Sequence, residues 1–286
     1  LDHPYVYPTP ADHFYRIADF NAKNEDEALS IEVGYLAKAV ETTYGDILQE
    51  VIETKDQWIS NSSVRLSNEL KVKLAYMIGV QYLRMPCVRD AALAIFKTVT
   101  DFEERLVKKI AAEQEQNPDI LDLQINKRYD EASIHAQSTF QNDRLLLDFC
   151  IALSRNYWTF LVSPENKFYT SDSPIVVQPH VEGVRPTHCG LTQYGAELSF
   201  PISKDIMVVI WDKDYFSAKA SDDCSFRNAT DAELRKYNML RYGYATESVF
   251  EYNNDFSWIS FITTVNGGKH LCLNNTGIKI AHYGTR

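Results

Sequence analysis

Between Leu70 and Met85, apolar side chains recur every three or four residues, and the stripe Leu74, Ile78, Gln81, Met85 carries a glutamine where an apolar group is expected. A glutamine on a core-facing stripe must find hydrogen-bond partners. Arg84 lies three residues further on, and its guanidinium fork suits a carboxylate or a phosphate. It serves equally as a structural clamp on a loop or on Asp172. The run Phe168-Tyr169-Thr170-Ser171-Asp172-Ser173-Pro174 reads as a strand delivering a polar turn. Asp172, set between the hydroxyls of Ser171 and Ser173, can ligate a metal, position a water, or accept backbone N–H groups in an Asx turn ahead of Pro174. A catalytic version needs a second carboxylate, and Glu32 supplies one. Asp172 and Glu32 would then hold a divalent cation, Arg84 would bind a phosphoryl oxygen, and metal-bound water would attack a phosphodiester. Against this, Glu32 stands near a helix start, where a negative charge is favourable without any catalytic role. Glu32 and Glu41, nine residues apart, do not share one helical face, and Glu41 with Lys38 makes an ordinary surface pair.

Other reactive residue types fall into no recognised pattern. His180 and His188 are eight residues apart in a proline-rich loop, with Cys189 adjacent, and match neither a zinc site nor a cysteine protease. His3 and His13 flank a proline- and tyrosine-bearing start, and His135 falls in a helical pattern as a structural histidine. There is no GxGxxG, GxxxxGK, GxSxG or HExxH, so no cofactor is identified. The five cysteines, Cys87, Cys150, Cys189, Cys224 and Cys272, are odd in number and widely spaced. They read as reduced packing thiols, which favours a cytoplasmic location.

A formal charge of −10 argues against a broad grip on nucleic-acid phosphates while leaving a local basic pocket open. The seventeen tyrosines and four tryptophans lack the basic interleaving of an RNA-binding strand pair, and Lys108-Lys109 reads first as a solvated helix face. No run approaches the roughly 18–20 apolar residues that cross a bilayer, so no membrane association is expected. Leu1-Asp2-His3-Pro4 does not resemble a signal peptide, and the missing initiating Met points to a trimmed chain. Partners are unknown, and a homo-oligomer is kept open.

The elements that must position these residues change character along the chain. Residues 1–30 are proline-bearing and irregular. Helical spacing begins at Ile31 and continues through Ile47, Leu48, Val51 and Ile52, with Gly45 as a bend. Ser67 is a candidate cap for the helix reaching Met85, and Pro86 stops or kinks it. Charged amphipathic segments follow at Ala91 to about Gln114 and at Tyr129 to Ser154. Near Asn156 short apolar runs take over: Tyr157–Val162, Phe168–Thr170, Ile175–Val177 and Ile206–Trp211. A late helix is expected over Asp231–Tyr244 with a Thr230 or Asn228 cap, and further strands from Trp258 to Thr264, Leu271 to Leu273 and Ile278 to Ala281. The expectation is one α+β domain over 1–286: a helical N-terminal half (layer about 30–155), then a small antiparallel or mixed sheet with the late helix (layer about 156–286).

Several short blocks in a fixed order resemble an uncharacterised bacterial family, the domain of unknown function numbered 4238. They are Tyr5-Val6-Tyr7, Phe14-Tyr15, Ile31-Glu32, Gln81-Tyr82-Leu83-Arg84-Met85-Pro86, Phe168 to Pro174, Phe200-Pro201-Ile202-Ser203 and Tyr237-Asn238. Family members open with a His-His-Tyr-Val-Pro-like segment, for which His3-Pro4-Tyr5-Val6 is a superficial substitute. The resemblance implies a mostly helical α+β protein in which Gln81, Arg84, Asp172 and Asn238 converge, and it supplies no reaction. Two functional readings result. In one, Gln81, Arg84, Ser171 and Asn238 belong to a noncatalytic binding or scaffold protein. In the other, Asp172, Glu32 and Arg84 make a divalent-metal-dependent phosphodiester hydrolase.

Overall fold

A computed structural model describes residues 42–113, 143–184, 190–246, 248–253 and 255–260. Among the described residues four helices precede the first strand: α1 (Thr42–Ser60), α2 (Asn68–Leu83), α3 (Pro86–Glu113) and α4 (Asp143–Arg155). Gly45 lies inside α1 without ending it, and α1 turns Ile47, Leu48 and Val51 inward. Ser67 caps α2, its hydroxyl accepting the Leu70 N–H. The stripe Leu74, Ile78, Gln81 and Met85 is buried throughout, the glutamine included. Pro86 both closes α2 and opens α3. Arg84 bonds back to the Val80 carbonyl as the C-cap, and proline, which has no N–H to leave unpaired, occupies the first turn of the next helix. Gly79 lets α2 and α4 approach closely, since a Cβ there would meet the Leu146 side chain at 3.1 Å.

The strands among the described residues are β1 (Tyr157–Val162), β2 (Thr170–Ser171), β3 (Val176–Pro179), β4 (Ala196–Pro201), β5 (Ile206–Trp211), β6 (Ser225–Asn228) and β7 (Val249–Phe250). A 3₁₀ turn, Ser217–Asp222, precedes β6, and α5 (Asp231–Tyr244) follows it. The main sheet has the order β3-β4-β5-β1-β6, antiparallel except where β6 runs parallel to β1; β2 and β7 form a separate antiparallel pair. Thr230 caps α5 in a reciprocal box with Glu233, as the Thr-x-x-Glu spacing dictates.

Strand alternation assigns the two faces of the sheet. Trp158, Phe160, Val162, Leu198, Phe200, Ile206, Val208, Ile210 and Phe226 pack with α1, α2 and α4. Leu161, Met207, Val209 and Trp211 turn the other way, toward Tyr237 and Leu234 of α5. The sheet is therefore covered on both faces, which is why β4 and β5 are buried along their whole length. Lys71 of α2 fixes the seam between helices and sheet: its ammonium bonds Asp223 at 2.9 Å and the Asn156 carbonyl at 2.8 Å, while Asp223 accepts the Trp158 N–H.

Two expectations shift. Ser257–Ser260 is helical where a strand from Trp258 was expected, because Asp255 accepts the Ser257 N–H and Ser260 N–H bonds Phe256. Strands β4 and β6 arise from segments not read as strand. The expected segments before Thr42, between 114 and 142, and beyond 260 lie outside the described residues. Among the described residues no helix is long and apolar enough to cross a membrane.

Candidate functional site

The expected polar turn exists, and its groups hold the fold together. Asp172 is buried at the end of β2, where its Oδ1 accepts the Thr246 N–H at 2.8 Å and its Oδ2 the Ser248 N–H at 3.3 Å. Its own N–H bonds the Ser248 carbonyl. Ser171, fully buried, accepts the Ser173 N–H in a local turn, and the Ser173 hydroxyl sits 3.3 Å from that of Thr246. Asn238, on the inner side of α5, uses both ends of its amide. Its Oδ1 accepts the Tyr169 N–H at 2.9 Å, and its Nδ2 donates to the Lys167 carbonyl at 2.7 Å. Asp172 and Asn238 therefore clamp the two ends of the segment 167–172 onto α5 and the chain that leaves it.

Arg84 and Gln81 sit on the last turn of α2, half-buried and buried respectively. The α2–α3 corner lies within electrostatic reach of the turn. Desolvation first, and then the charges of Asp90 and Asp172, push the Cys87 thiol up to about 11. Cys87 nonetheless keeps exposed surface, so the crowding is by neighbours rather than full enclosure. Glu32, the second carboxylate of the hydrolase reading, lies outside the described residues, as do His3, His13, His135, His188 and Cys189. Among the described residues no group of three or more His, Cys, Asp or Glu side chains gathers as a cation site.

Beside the Asn238 clamp opens a cavity of about 230 Å³. Asp231, Arg235 and Asn238 line it from α5, Lys167 and Tyr169 from the segment before β2, and Glu251, Asp255 and Trp258 from the chain after β7. The Arg235 guanidinium lies over the Trp258 ring at 4.4 Å and makes no ion pair among the described residues. Lys167 pairs with Glu165, and the charges of Asp231 and Asp255 add to what raises its pKa. Asp255 sits below the usual carboxylate range, chiefly through hydrogen bonds from Ser257. The Tyr169 hydroxyl donates to the Asp255 carbonyl at 2.5 Å; burial first, then the charges of Asp255 and Glu251, hold the phenol above its ordinary range. The cavity thus offers donors and acceptors of both charges beside an aromatic edge. Asn238 was a candidate only through the family resemblance, alongside Gln81, Arg84 and Asp172, and Arg235 and Trp258, more than twenty positions apart with no shared motif, were not candidates.

A second polar cluster also escaped the sequence. Glu197 of β4 is fully buried on the α5 face, where Lys236 bonds both of its oxygens at 2.7 and 2.8 Å and His180 Nε2 meets it at 2.7 Å. One step along β4, the Ser199 hydroxyl accepts from Arg241 at 2.6 Å. Burial, followed by the nearby Glu197 charge, raises the Tyr237 phenol. His180 was noted only beside His188 and Cys189, and the alternation Ala-Glu-Leu-Ser-Phe-Pro, not read as a strand, has a polar side that α5 covers.

A mixed sheet between a helical layer and one late helix makes this an α+β protein. Within that class the chain belongs to the family described as Protein of unknown function (DUF4238), which matches residues 5–255. No curated protein and no solved structure matches it.

Proposed function

We propose that this is a noncatalytic binding protein whose ligand occupies the cavity beside Asn238 and carries both an anionic and a cationic group. The observation that supports this most is the Arg235 guanidinium stacked on Trp258 with no carboxylate partner among the described residues. Stacking fixes the plane of an arginine and leaves N–H groups at its edge for a carboxylate or phosphate. Asp231, Glu251 and Asp255, which line the same cavity, complement an ammonium group. A cavity of about 230 Å³ lies below the roughly 300–1,000 Å³ of drug-sized sites, which favours a ligand the size of an amino acid or dipeptide. Asp172, Ser171 and Asn238 frame this site by fastening the segment that carries Lys167 and Tyr169, while Gln81 and Arg84 belong to the neighbouring helix corner.

We read the chain as one domain acting in the cytoplasm. Cys87, Cys150 and Cys224 are free, in keeping with a reducing compartment. The net charge of −10 supports a partner other than bulk nucleic acid. In the hydrolase reading Asp172 and Glu32 would hold the cation, with Asp172 using the lone pairs left over from the two backbone N–H groups it already accepts.

Titrating the protein with free amino acids and dipeptides, followed by tryptophan fluorescence and calorimetry, tests the proposal. A saturable response lost in both Arg235→Ala and Trp258→Phe is expected. No saturable response to any probe at millimolar concentration overturns it. Manganese-dependent cleavage of bis(p-nitrophenyl) phosphate that disappears in a folded Asp172→Asn variant replaces it with the hydrolase.

A further inference from the structure

α3 begins at the Pro86 corner, where Val88 still packs on the core, and none of residues 86–110 is buried. At 28 residues it is about 42 Å long. Ile95, Val99, Phe102, Leu106 and Ile110 are between 44% and 66% exposed, and all lie on one face. The half-covered residues Leu93, Phe96, Thr100, Glu104 and Lys108 lie on another, so the exposed stripe is a separate surface. From Ala92 to Leu106 the apolar positions Ala92, Ile95, Val99, Phe102 and Leu106 alternate steps of three and four, and Ile110 follows four residues further on, at the edge of that seam. That alternation averages 3.5 residues and keeps a seam aligned along a second helix wound around the first.

We propose that α3 is a dimerisation arm, its stripe Ile95, Val99, Phe102, Leu106 and Ile110 packing against the same stripe of a second copy of this chain as a two-helix coiled coil. Two properties favour a copy of itself as the occupant. Five half-exposed large side chains present several hundred Å² of apolar surface, and two such faces together approach the roughly 1,200 Å² at which stable interfaces begin. The charge also fits self-association. The chain as a whole carries −10, whereas α3 holds five basic residues (Arg89, Lys97, Arg105, Lys108, Lys109) and five acidic ones (Asp90, Asp101, Glu103, Glu104, Glu113), a balance of zero. Two copies can therefore meet along α3 without the repulsion that other faces of a strongly acidic protein impose.

Light scattering coupled to size exclusion, and sedimentation equilibrium across about 1–100 μM, read the outcome directly. The full chain is expected at twice 32.8 kDa. Val99→Asp and Phe102→Asp are each expected to weaken association at least a hundredfold at unchanged helical content and melting temperature, since neither side chain is buried in the monomer. Leu147→Asp, which charges an equally exposed apolar residue on α4, should leave the dimer intact. A monomer at every concentration overturns the proposal, whether the stripe is then covered by another part of the chain or by a different protein. So does an oligomer that Phe102→Asp leaves assembled, or one that Leu147→Asp dissolves equally.

Discussion

Replacing Asp172 by asparagine preserves shape and removes charge, so it isolates what the carboxylate does. The bond from Thr246 at 2.8 Å survives on the remaining oxygen but falls from the charge-assisted range, about 1.5–3 kcal/mol, to the neutral one, about 0.5–1.5. The Ser248 N–H, now facing an amide NH₂, loses its acceptor, and an unpaired buried donor costs about 1–3 kcal/mol more. Together these come to about 3 kcal/mol. Melting temperature should therefore fall by about 5 °C in a chain of this size. Urea unfolding followed by circular dichroism measures the loss, and hydrogen exchange should quicken at the amides of Thr246 and Ser248 before it does in β5. A variant within about 0.5 kcal/mol of the parent would refute the fastening role. If such a variant also lost a manganese-dependent activity, the carboxylate would be a ligand rather than a clamp.

Two further outcomes follow from local geometry. Glu233, held at about 2 chiefly by its bonds from Arg227, contributes stability that is complete above the ordinary value of 4.5 and is lost as pH falls toward 2. With solvent screening discounted, the gap between the parent and Glu233→Gln should be about 1 kcal/mol at pH 6 and close by pH 2; a gap that persists in urea melts at pH 2 would assign it to something other than the ion pair. Gly195 adopts φ +73°, and a Cβ there would stand 2.7 Å from Val181 Cγ2, whereas Gly183 at φ +81° faces open space. Gly183→Ala should cost only the left-handed backbone term, about 1–2 kcal/mol, and Gly195→Ala clearly more. Equal melting temperatures for the two would mean that Val181 yields.

Much of the fold was legible because the local rules agreed with one another. The Ser67 cap, the Thr230 cap, one of the two offered for the late helix, and the apolar runs of β1 and β5 each satisfy their backbone within a few residues, so pattern and propensity suffice. What was hidden depends on distant partners. β6 is a strand because β1 offers it a parallel edge, and β4 looks half-solvated until α5 buries its polar side. The site divides in the same way. Gln81 stood out as a polar group on an apolar stripe, Ser171 and Asp172 as a polar turn at a strand end, and Asn238 through the family resemblance alone; all four are buried. Arg235 and Trp258 are unremarkable on their own helix and tail, and only folding stacks one on the other.

The carboxylate on β4 has a consequence for how the chain chooses among alternative pairings. Because side chains alternate, shifting β4 by one position against β5 would swing Glu197 and Ser199 from beneath Lys236 and Arg241 into the layer of Phe160, Leu74 and Ile78. There a carboxylate would meet only hydrocarbon, and Lys236 would be left without its counter-charge. The mispaired sheet is thus penalised twice, once on each face. An apolar replacement at Glu197 that preserves stability would be expected to show its defect elsewhere: in slower refolding, doubled amide resonances along β4 and β5, and a greater tendency to aggregate.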